Sequence, residues 1–467
     1  MSIAAALSSA AAGIRLIQTD ISVVSDNIAG VNDPNRTRQA VERTTDITGH
    51  VVLAAYSRQT NTALSNQVNE AIADASASDT RQAYLKRIND LLGTTSDRTF
   101  LVKAMQDFSD AWNTLSATPE SDVAKGGVVR LGDALAREVR RTANGVEDIQ
   151  AQLQDDIANQ VTQLNDLLKQ VDETNAQIVA QKSNDQPTGN AEDKRDALVR
   201  EISKLVDVRR VNRDDGRIAL FSPSGSILLD AIPVSYTYSN GVLTSNVGSE
   251  AGLSTFASGS LGSLLQMAKD TSQTDPPTPV DTSPSHEVIR KLRSQLDMIA
   301  HSFLDRTATG QPTSFADAYS FTGTTSAGQL DQNFFTGKDR FNFALNFKLL
   351  DGSATVKESA VTATAGALTI PGRTFTSDGL IVSDGSYGDM VSSFVSRWSL
   401  TKSQVDQEAK AADDVRDQLQ QRYQSEVGVN LDDEIVRLQV LQRNYAASAQ
   451  VITTTRDMLD SLERIFR

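Results

Sequence analysis

The stretch IAAALSSAAAGIRLIQTDISVVSDNIAGV, residues 3–31, decides the fold. Its residues Ile3, Leu7, Ala10, Ile14, Ile17, Ile21, Val24, Ile28 and Val31 recur in alternating steps of four and three. A mean step near 3.5 is a heptad, so the stretch predicts a helix with one seam that needs another helix. Drawn straight, that helix is roughly 42 Å long. Residues 431–466, LDDEIVRLQVLQRNYAASAQVITTTRDMLDSLERIF, follow the same pattern. Leu431, Ile435, Leu438, Leu441, Tyr445, Ala449, Ile452, Leu459, Leu462 and Phe466 lie along one face. Two ordinary core helices are the plainer reading, but the N-terminal stripe is long and regular for that. Each fully buried Leu or Ile contributes about 1.5–3 kcal/mol, and left bare the stripe exceeds what monomers tolerate. The two ends are expected to pair and to gain order when neighbouring subunits supply the missing faces.

Composition narrows the function. The chain has 467 residues, a net charge of −14, 39% hydrophobic and 5% aromatic residues. The length predicts two or three domains. Few aromatics suit elongated helical packing, and the acidic balance excludes nucleic acid as a partner, because phosphate contacts need clustered Lys and Arg. Cysteine is absent, which removes disulfides, thiolate zinc sites and cysteine nucleophiles. The three histidines, His50, His286 and His301, have no metal-ligand spacing. No apolar run is long enough for membrane insertion. The first charge is Arg15, so a basic signal-peptide start is missing, and the chain is expected to be cytoplasmic or to leave the cell by a route that needs no cleaved signal.

Along the chain, Asp33-Pro34 ends the first helix and Gly49 loosens the segment after it. Helical spacing runs from about Thr62 to Val206, with breaks expected at Gly93, Pro119 and Gly126-Gly127. Asp215-Gly216 and Asn240-Gly241 lie between apolar runs and predict β-hairpins. Residues 261–269 and 288–304 return to helical spacing across a proline-crowded linker holding Pro276, Pro277, Pro279 and Pro284. Phe341, Phe343, Leu345, Phe347 and Leu349 alternate as in a half-buried strand, turned at Asp351-Gly352, with a later pair turned at Asp378-Gly379. A helix follows from about Tyr387, Gly428 interrupts it, and Asn430 caps the last helix, with Asp432 and Asp433 in its first turn.

The fold class expected is mainly α with β insertions: paired N- and C-terminal coiled-coil-like helices, an elongated helical bundle domain and a smaller outer β domain. Residues 1–47 form the N-terminal assembly helix and loop, pairing with 428–467. Residues 48–207 form the bundle, 208–258 and 309–385 the two β segments, and 259–308 and 386–427 helices returning to the bundle. No catalytic, cofactor or metal residues are identified. Adjacent acids such as Asp155-Asp156 and Asp413-Asp414 lie on helices and point apart, as solvated faces do.

Particular residues then point to a family. Ser25-Asp26-Asn27-Ile28-Ala29-Gly30-Val31-Asn32, then Pro34 and Arg38-Gln39, resemble the N-terminal signature of bacterial flagellar rod, hook and hook-associated proteins. Gly428-Val429-Asn430-Leu431-Asp432-Asp433-Glu434, Tyr445 to Ala449 and Met458 to Leu462 resemble their C-terminal signature. Tyr84 to Ile88, Phe108 with Trp112, the segment Lys194 to Val208, and Gly259 to Leu265 are similar to the hook-associated protein 1 family in particular. Asn35-Arg36 stand where those proteins carry Gly-Tyr, and Gly30 replaces an Asn.

The resemblance implies a non-enzymatic structural subunit without cofactor. It would form a ring or helical tier that joins hook to filament, outside the cell, after type III export. Implied partners are further copies of itself, hook protein, hook-associated protein 3 and an export chaperone at the C-terminal region. The assembly interface is expected at Ile3, Leu7, Ile14, Ile17, Ile21, Val24, Asn27, Ile28, Val31 and Asn32. On the other end it is expected at Asn430, Leu431, Ile435, Leu438, Leu441, Tyr445, Ile452, Leu459, Leu462 and Phe466. The alternatives are a hook or distal rod protein, which the long helical stretch disfavours, and a cytoplasmic coiled-coil scaffold.

Overall fold

The computed structural model describes residues 3–45, 51–93, 100–184, 186–247, 256–269, 283, 285–307, 311–320 and 333–465. Long helices dominate the chain. After α1 (Ile3–Ala29) comes a hairpin of β1 (Gln39–Thr45) and β2 (Val51–Arg58), then α2 (Thr62–Leu92), α3 (Phe100–Ala117), α4 (Asp122–Ser183) and α5 (Gly189–Leu205). Next are an antiparallel sheet of β3 (Arg209–Asn212), β4 (Ile218–Phe221) and β5 (Ile227–Leu229), and a hairpin of β6 (Tyr236–Ser239) and β7 (Val242–Ser245). Helices α6 (Gly259–Ala268), α7 (Val288–Leu304) and α8 (Phe315–Tyr319) follow. The short pair β8 (Phe335–Thr336) and β9 (Ala344–Leu345) precedes α9 (Phe347–Leu350) and α10 (Val361–Thr369). The hairpin β10 (Arg373–Ser377) and β11 (Leu380–Gly385) leads into α11 (Tyr387–Val427) and α12 (Leu431–Ile465).

Caps place the helix starts. Asn61 Oδ1 accepts from the Leu64 N–H at 3.0 Å, Ser121 Oγ from Ala124 at 3.3 Å, and Ser386 forms a capping box with Asp389. Asn430 Oδ1 accepts from the Asp432 N–H at 3.0 Å and opens the last helix as its sequence predicts. Both Asx-Gly hairpins form: Gly216 has φ +96°, and Asn240 and Gly241 share positive φ (+52° and +80°), the geometry of a tight hairpin turn.

The body is built on α4, whose 62 residues span roughly 93 Å. Its buried residues recur in steps of three and four, from Val128 through Leu135, Val146, Leu153 and Leu164 to Ile178. The stripe is covered along its length by α3, α5, α6, α7 and strand edges. Helices α2 and α11 run antiparallel, since Asn61 bonds Glu426, Gln82 bonds Asp406 and Ser399 bonds Asn89. The strands of 209–245 share the helical core, with Ile218, Leu220, Leu228, Tyr236 and Leu243 joining Val161 and Leu164 in one apolar cluster. Two asparagines on α4 clamp them. Asn175 exchanges two hydrogen bonds with the Ile218 backbone (3.0 and 3.1 Å), and Asn165 does the same with Tyr236 (2.8 Å each). Phe108, Trp112, Phe303, Phe315, Phe334, Phe335 and Phe343 concentrate in one knot, with Phe335 and Phe343 centroids 4.6 Å apart.

Four details correct the expectations from sequence. Gly126-Gly127 do not break the helix. Ser121 caps it just upstream and Val128, fully buried, ties the next turn down, which outweighs a cost of about 1 kcal/mol per glycine. The helical course is instead divided after Ser183, where α4 ends, and resumes at Gly189, where α5 begins. Residues 341–349 are not one continuous strand: only Ala344–Leu345 pair, as β9, while the Asp339 carboxylate accepts from the Phe341 and Asn342 N–H groups and Asn346 caps α9, so side-chain bonds cut the ladder short. Phe343, Leu345 and Leu349 are buried, but Phe341 and Phe347 face solvent. The stretch 309–385 also contains α8, α9 and α10, and hairpin β1–β2 spans the expected boundary at 47/48. Gly49, His50 and Pro276 to Pro279 and Pro284 lie outside the described residues.

The glycines of α4 give an internal comparison. A Cβ on Gly126 or Gly127 meets nothing within 4 Å, whereas one on Gly132 would lie 2.7 Å from Phe334 and 3.0 Å from Phe108. Gly126→Ala and Gly127→Ala are each expected to stabilise by about 0.5–1 kcal/mol, and Gly132→Ala to destabilise by about 1–3 kcal/mol. Denaturant unfolding of the three variants checks this.

Candidate assembly interface

The two terminal helices lie side by side. Arg38 meets Glu434 near the start of α12, Arg437 lies beside Asp20, and Leu441 joins Ile17 and Val24 in one apolar cluster, so α12 runs antiparallel to α1. Ile21, Ile28 and Leu438 pack half-buried against that cluster.

The face of α1 turned inward is rotated from the one its apolar stripe suggests. Its buried residues are Leu16, Ile17, Asp20, Val24 and Asn27. Asp20 and Asn27 stand one heptad apart and face the β1–β2 hairpin rather than α12 alone. Asn27 exchanges two hydrogen bonds with the Gln39 backbone, at 2.9 and 3.1 Å, and Asp20 pairs with Arg43. On α12 the buried positions are Glu434, Leu441 and Thr455.

Of the expected interface residues, Ile17, Val24, Asn27 and Leu441 are buried within the chain. Leu7, Ile14, Ile21, Ile28, Val31, Leu438 and Ile452 are half-buried. Leu431, Ile435, Tyr445 and Leu459 keep 41, 39, 37 and 38% of their surface exposed, and Asn32 and Asn430 are exposed too. Val436, Val440, Val451 and Met458 add further exposed apolar surface to α12. Ile3 and Leu462 are helical, with side chains outside the described residues, and Phe466 lies outside them altogether. The chain therefore closes only part of its terminal seam.

A polar joint links this pair to the body. The Arg38 N–H donates to the Val427 carbonyl at 2.9 Å, at the end of α11. At the end of β2, Arg58 spreads its guanidinium over three carboxylates of α5: Glu192 (3.0 Å), Asp193 (2.9 Å) and Asp196 (2.9 Å). Arg210 also holds Asp196, at 2.6 Å, and Thr37 donates to Asp193. Burial lowers the Arg58 pKa, but the carboxylates outweigh it and hold it above its ordinary value. Burial and Arg210 push Arg195 down to about 10, still charged at neutral pH. This hub, whose Asp196 and Arg195 lie in the segment that carries the family resemblance, gave no interface signal in the sequence, because charged side chains distant in the chain meet only in the fold.

The two departures from the family pattern touch one another. A Cβ on Gly30 would lie 3.0 Å from the Arg36 side chain, so glycine leaves room for the arginine stem. Arg36 reaches Asn190, and Asn35 Oδ1 accepts from Arg200 at 2.7 Å, which docks the loop on α5.

Residues 85–335 match the family described as flagellar hook-associated protein FlgK helical domain, more than half of the chain. The chain belongs to the FlgK family of flagellar hook-associated proteins. It is a structural component of the flagellum. Residues 420–465 match the C-terminal region of the flagellar basal body rod FlgEFG proteins. Among FlgK relatives, flagellar hook-associated protein 1 of Escherichia coli strain K12 is 23% identical, covering 98% of this chain and 99% of that one. Its counterpart in Bacillus subtilis strain 168 is 25% identical over 46% of this chain and 45% of its own. The solved flagellar hook junction protein FlgK from Burkholderia pseudomallei is 19% identical with a TM-score of 0.42, over 51% of this chain and 42% of that one. These FlgK relatives are named for a place in the flagellum and not for a reaction. Among the described residues no three His, Asp or Glu converge as metal ligands, and no helix is long and apolar enough to cross a membrane.

The joint's electrostatics set a pH test. Burial raises the Asp196 carboxyl, but Arg210 and Arg58 outweigh it and hold it below the ordinary value. A depressed carboxyl contributes stability that is present above its unfolded pKa, about 3.9, and lost as pH falls through the folded value. Asp193, raised by burial, has the opposite sign: its contribution is present at low pH and lost as pH rises through its folded value. Asp196→Asn is expected to lower stability at neutral pH by about 3 kcal/mol and to flatten the acid-side fall below about pH 4. Urea unfolding across the acid range measures both.

Proposed function

We propose that this chain is the subunit that joins the flagellar hook to the filament and assembles through α1 and α12. The observation that carries this reading is the half-covered terminal seam. Leu431, Ile435, Tyr445 and Leu459 stay exposed on a helix whose other face is already seated on α1. An apolar strip of that kind is a binding edge rather than a solvent face. Further copies of the chain complete it within a ring or tier, hook protein borders it on one side and hook-associated protein 3 on the other. The full-length likeness to hook-associated protein 1 supports this placement.

In this reading the subunit acts outside the cell and leaves by the type III route without a cleaved signal. A chaperone holds the C-terminal region until then, since exposed apolar helices at high concentration associate wrongly. The work is structural, and no catalytic step is assigned to it. The polar joint of Arg38, Glu434 and the Arg58 hub carries force between the assembly helices and the body.

Ile21→Asp places a charge in the shared seam, while α4 and its core lie elsewhere. It is expected to abolish incorporation and filament growth in cells, with secondary structure by circular dichroism unchanged within about 10%. Deleting the gene is expected to leave intact hooks and filament protein released into the medium. Normal filaments from either strain would overturn the reading.

A further inference from the structure

Among its described residues α1 buries one charge that apolar packing does not require. Asp20 is 1% exposed and lies on the inward face between Ile17 and Val24. A carboxylate taken out of water costs several kcal/mol unless ion pairs and hydrogen bonds compensate it. Two cations from different elements converge on it. Arg43 reaches it from β1, at the β-bulge between Glu42 and Arg43 that re-aims the strand. Arg437 lies 3.8 Å away on α12. Three residues before Arg437, Glu434 is wholly buried and takes the Arg38 guanidinium at 2.6 Å.

The apolar stripe alone does not specify one alignment. Leu438 stands three residues before Leu441 and Tyr445 four after it, so α12 slid by one turn in either direction still offers an apolar group to Ile17 and Val24. The charges do distinguish the alternatives. The slip that brings Leu438 there puts Glu434 at the place of Arg437, and the slip that brings Tyr445 there puts Leu441 at it. Neither is a cation and one is an acid, so each slip strips Asp20 of Arg437 and parts Glu434 from Arg38.

We propose that Asp20, held by Arg43 and Arg437, is the register-setting residue of the terminal helix pair, selecting one antiparallel alignment among several that the apolar stripe accepts. The pairing is read from the single chain. Only its consequence, a reproducible edge offered to the next subunit, rests on the proposed assembly role.

The chain has no cysteine, so introduced pairs report register directly in the full-length protein. Ile17→Cys with Leu441→Cys reports the observed alignment, and Ile17→Cys with Leu438→Cys or Tyr445→Cys reports a slip of one turn in either direction. Under mild oxidation the native background is expected to cross-link 17 to 441 at least about tenfold more than the slipped pairs. In an Asp20→Leu background the native preference is expected to fall by about tenfold, with the slipped disulfides rising and helicity by circular dichroism retained. Arg437→Gln reproduces the effect, and Asp20→Glu keeps the native preference.

The proposal is overturned if Asp20→Leu retains the 17–441 preference. It is equally overturned if that variant loses the native cross-link without gaining a slipped one, since the residue would then be a stabiliser and not a register device. Absence of the 17–441 cross-link in the native background would instead remove the helix pairing, and with it the assembly reading.

Discussion

A helix with an apolar stripe along its length has to have that stripe covered, and how completely the chain covers each one organises this molecule. For α4 the cover is complete. Its residues from Val128 to Ile178 are buried in turn by helices and by strand edges that share one core. For α1 and α12 the cover is partial, because α1 has α12 and one hairpin to lie against and α12 has mainly α1. Burial scales with area removed from water, so the body is finished within one chain and the terminal pair is not.

Polar side chains carry out the joining that apolar surface cannot direct. Asn165, Asn175 and Asn27 each stand on a helix and satisfy a strand's backbone N–H and C=O together. One amide thus replaces the neighbouring strand that an edge would otherwise need. Arg58 does the corresponding work with charge, bringing β2 onto three carboxylates of α5. Such contacts contribute less than apolar burial but are directional, so they orient elements that the core merely holds together.

Function follows from the contrast. A body closed on itself and a terminal pair left half open suit the assembly role proposed above. The joint between them is polar and spans Val427, Arg38 and Glu434, a place where two apolar clusters meet without merging.

The amino-acid order by itself determined the long helices, the cap at Asn430 and the Asx-Gly hairpins, because these depend on residues a few positions apart. It determined the apolar spacing at both ends and the signatures that mark the family. It did not reveal hairpin β1–β2, whose strands carry little alternation, or the breakdown of strand spacing at 341–349, where Asp339 and Asn346 win over the ladder. The rotation of α1 that buries Asp20 and Asn27, and the meeting of Arg58 with Asp193 and Asp196, were settled by the tertiary structure alone. Periodicity records which face of a helix is apolar. Which face is buried depends on where distant hydrogen-bonding and charged partners stand, and only the folded chain brings them there.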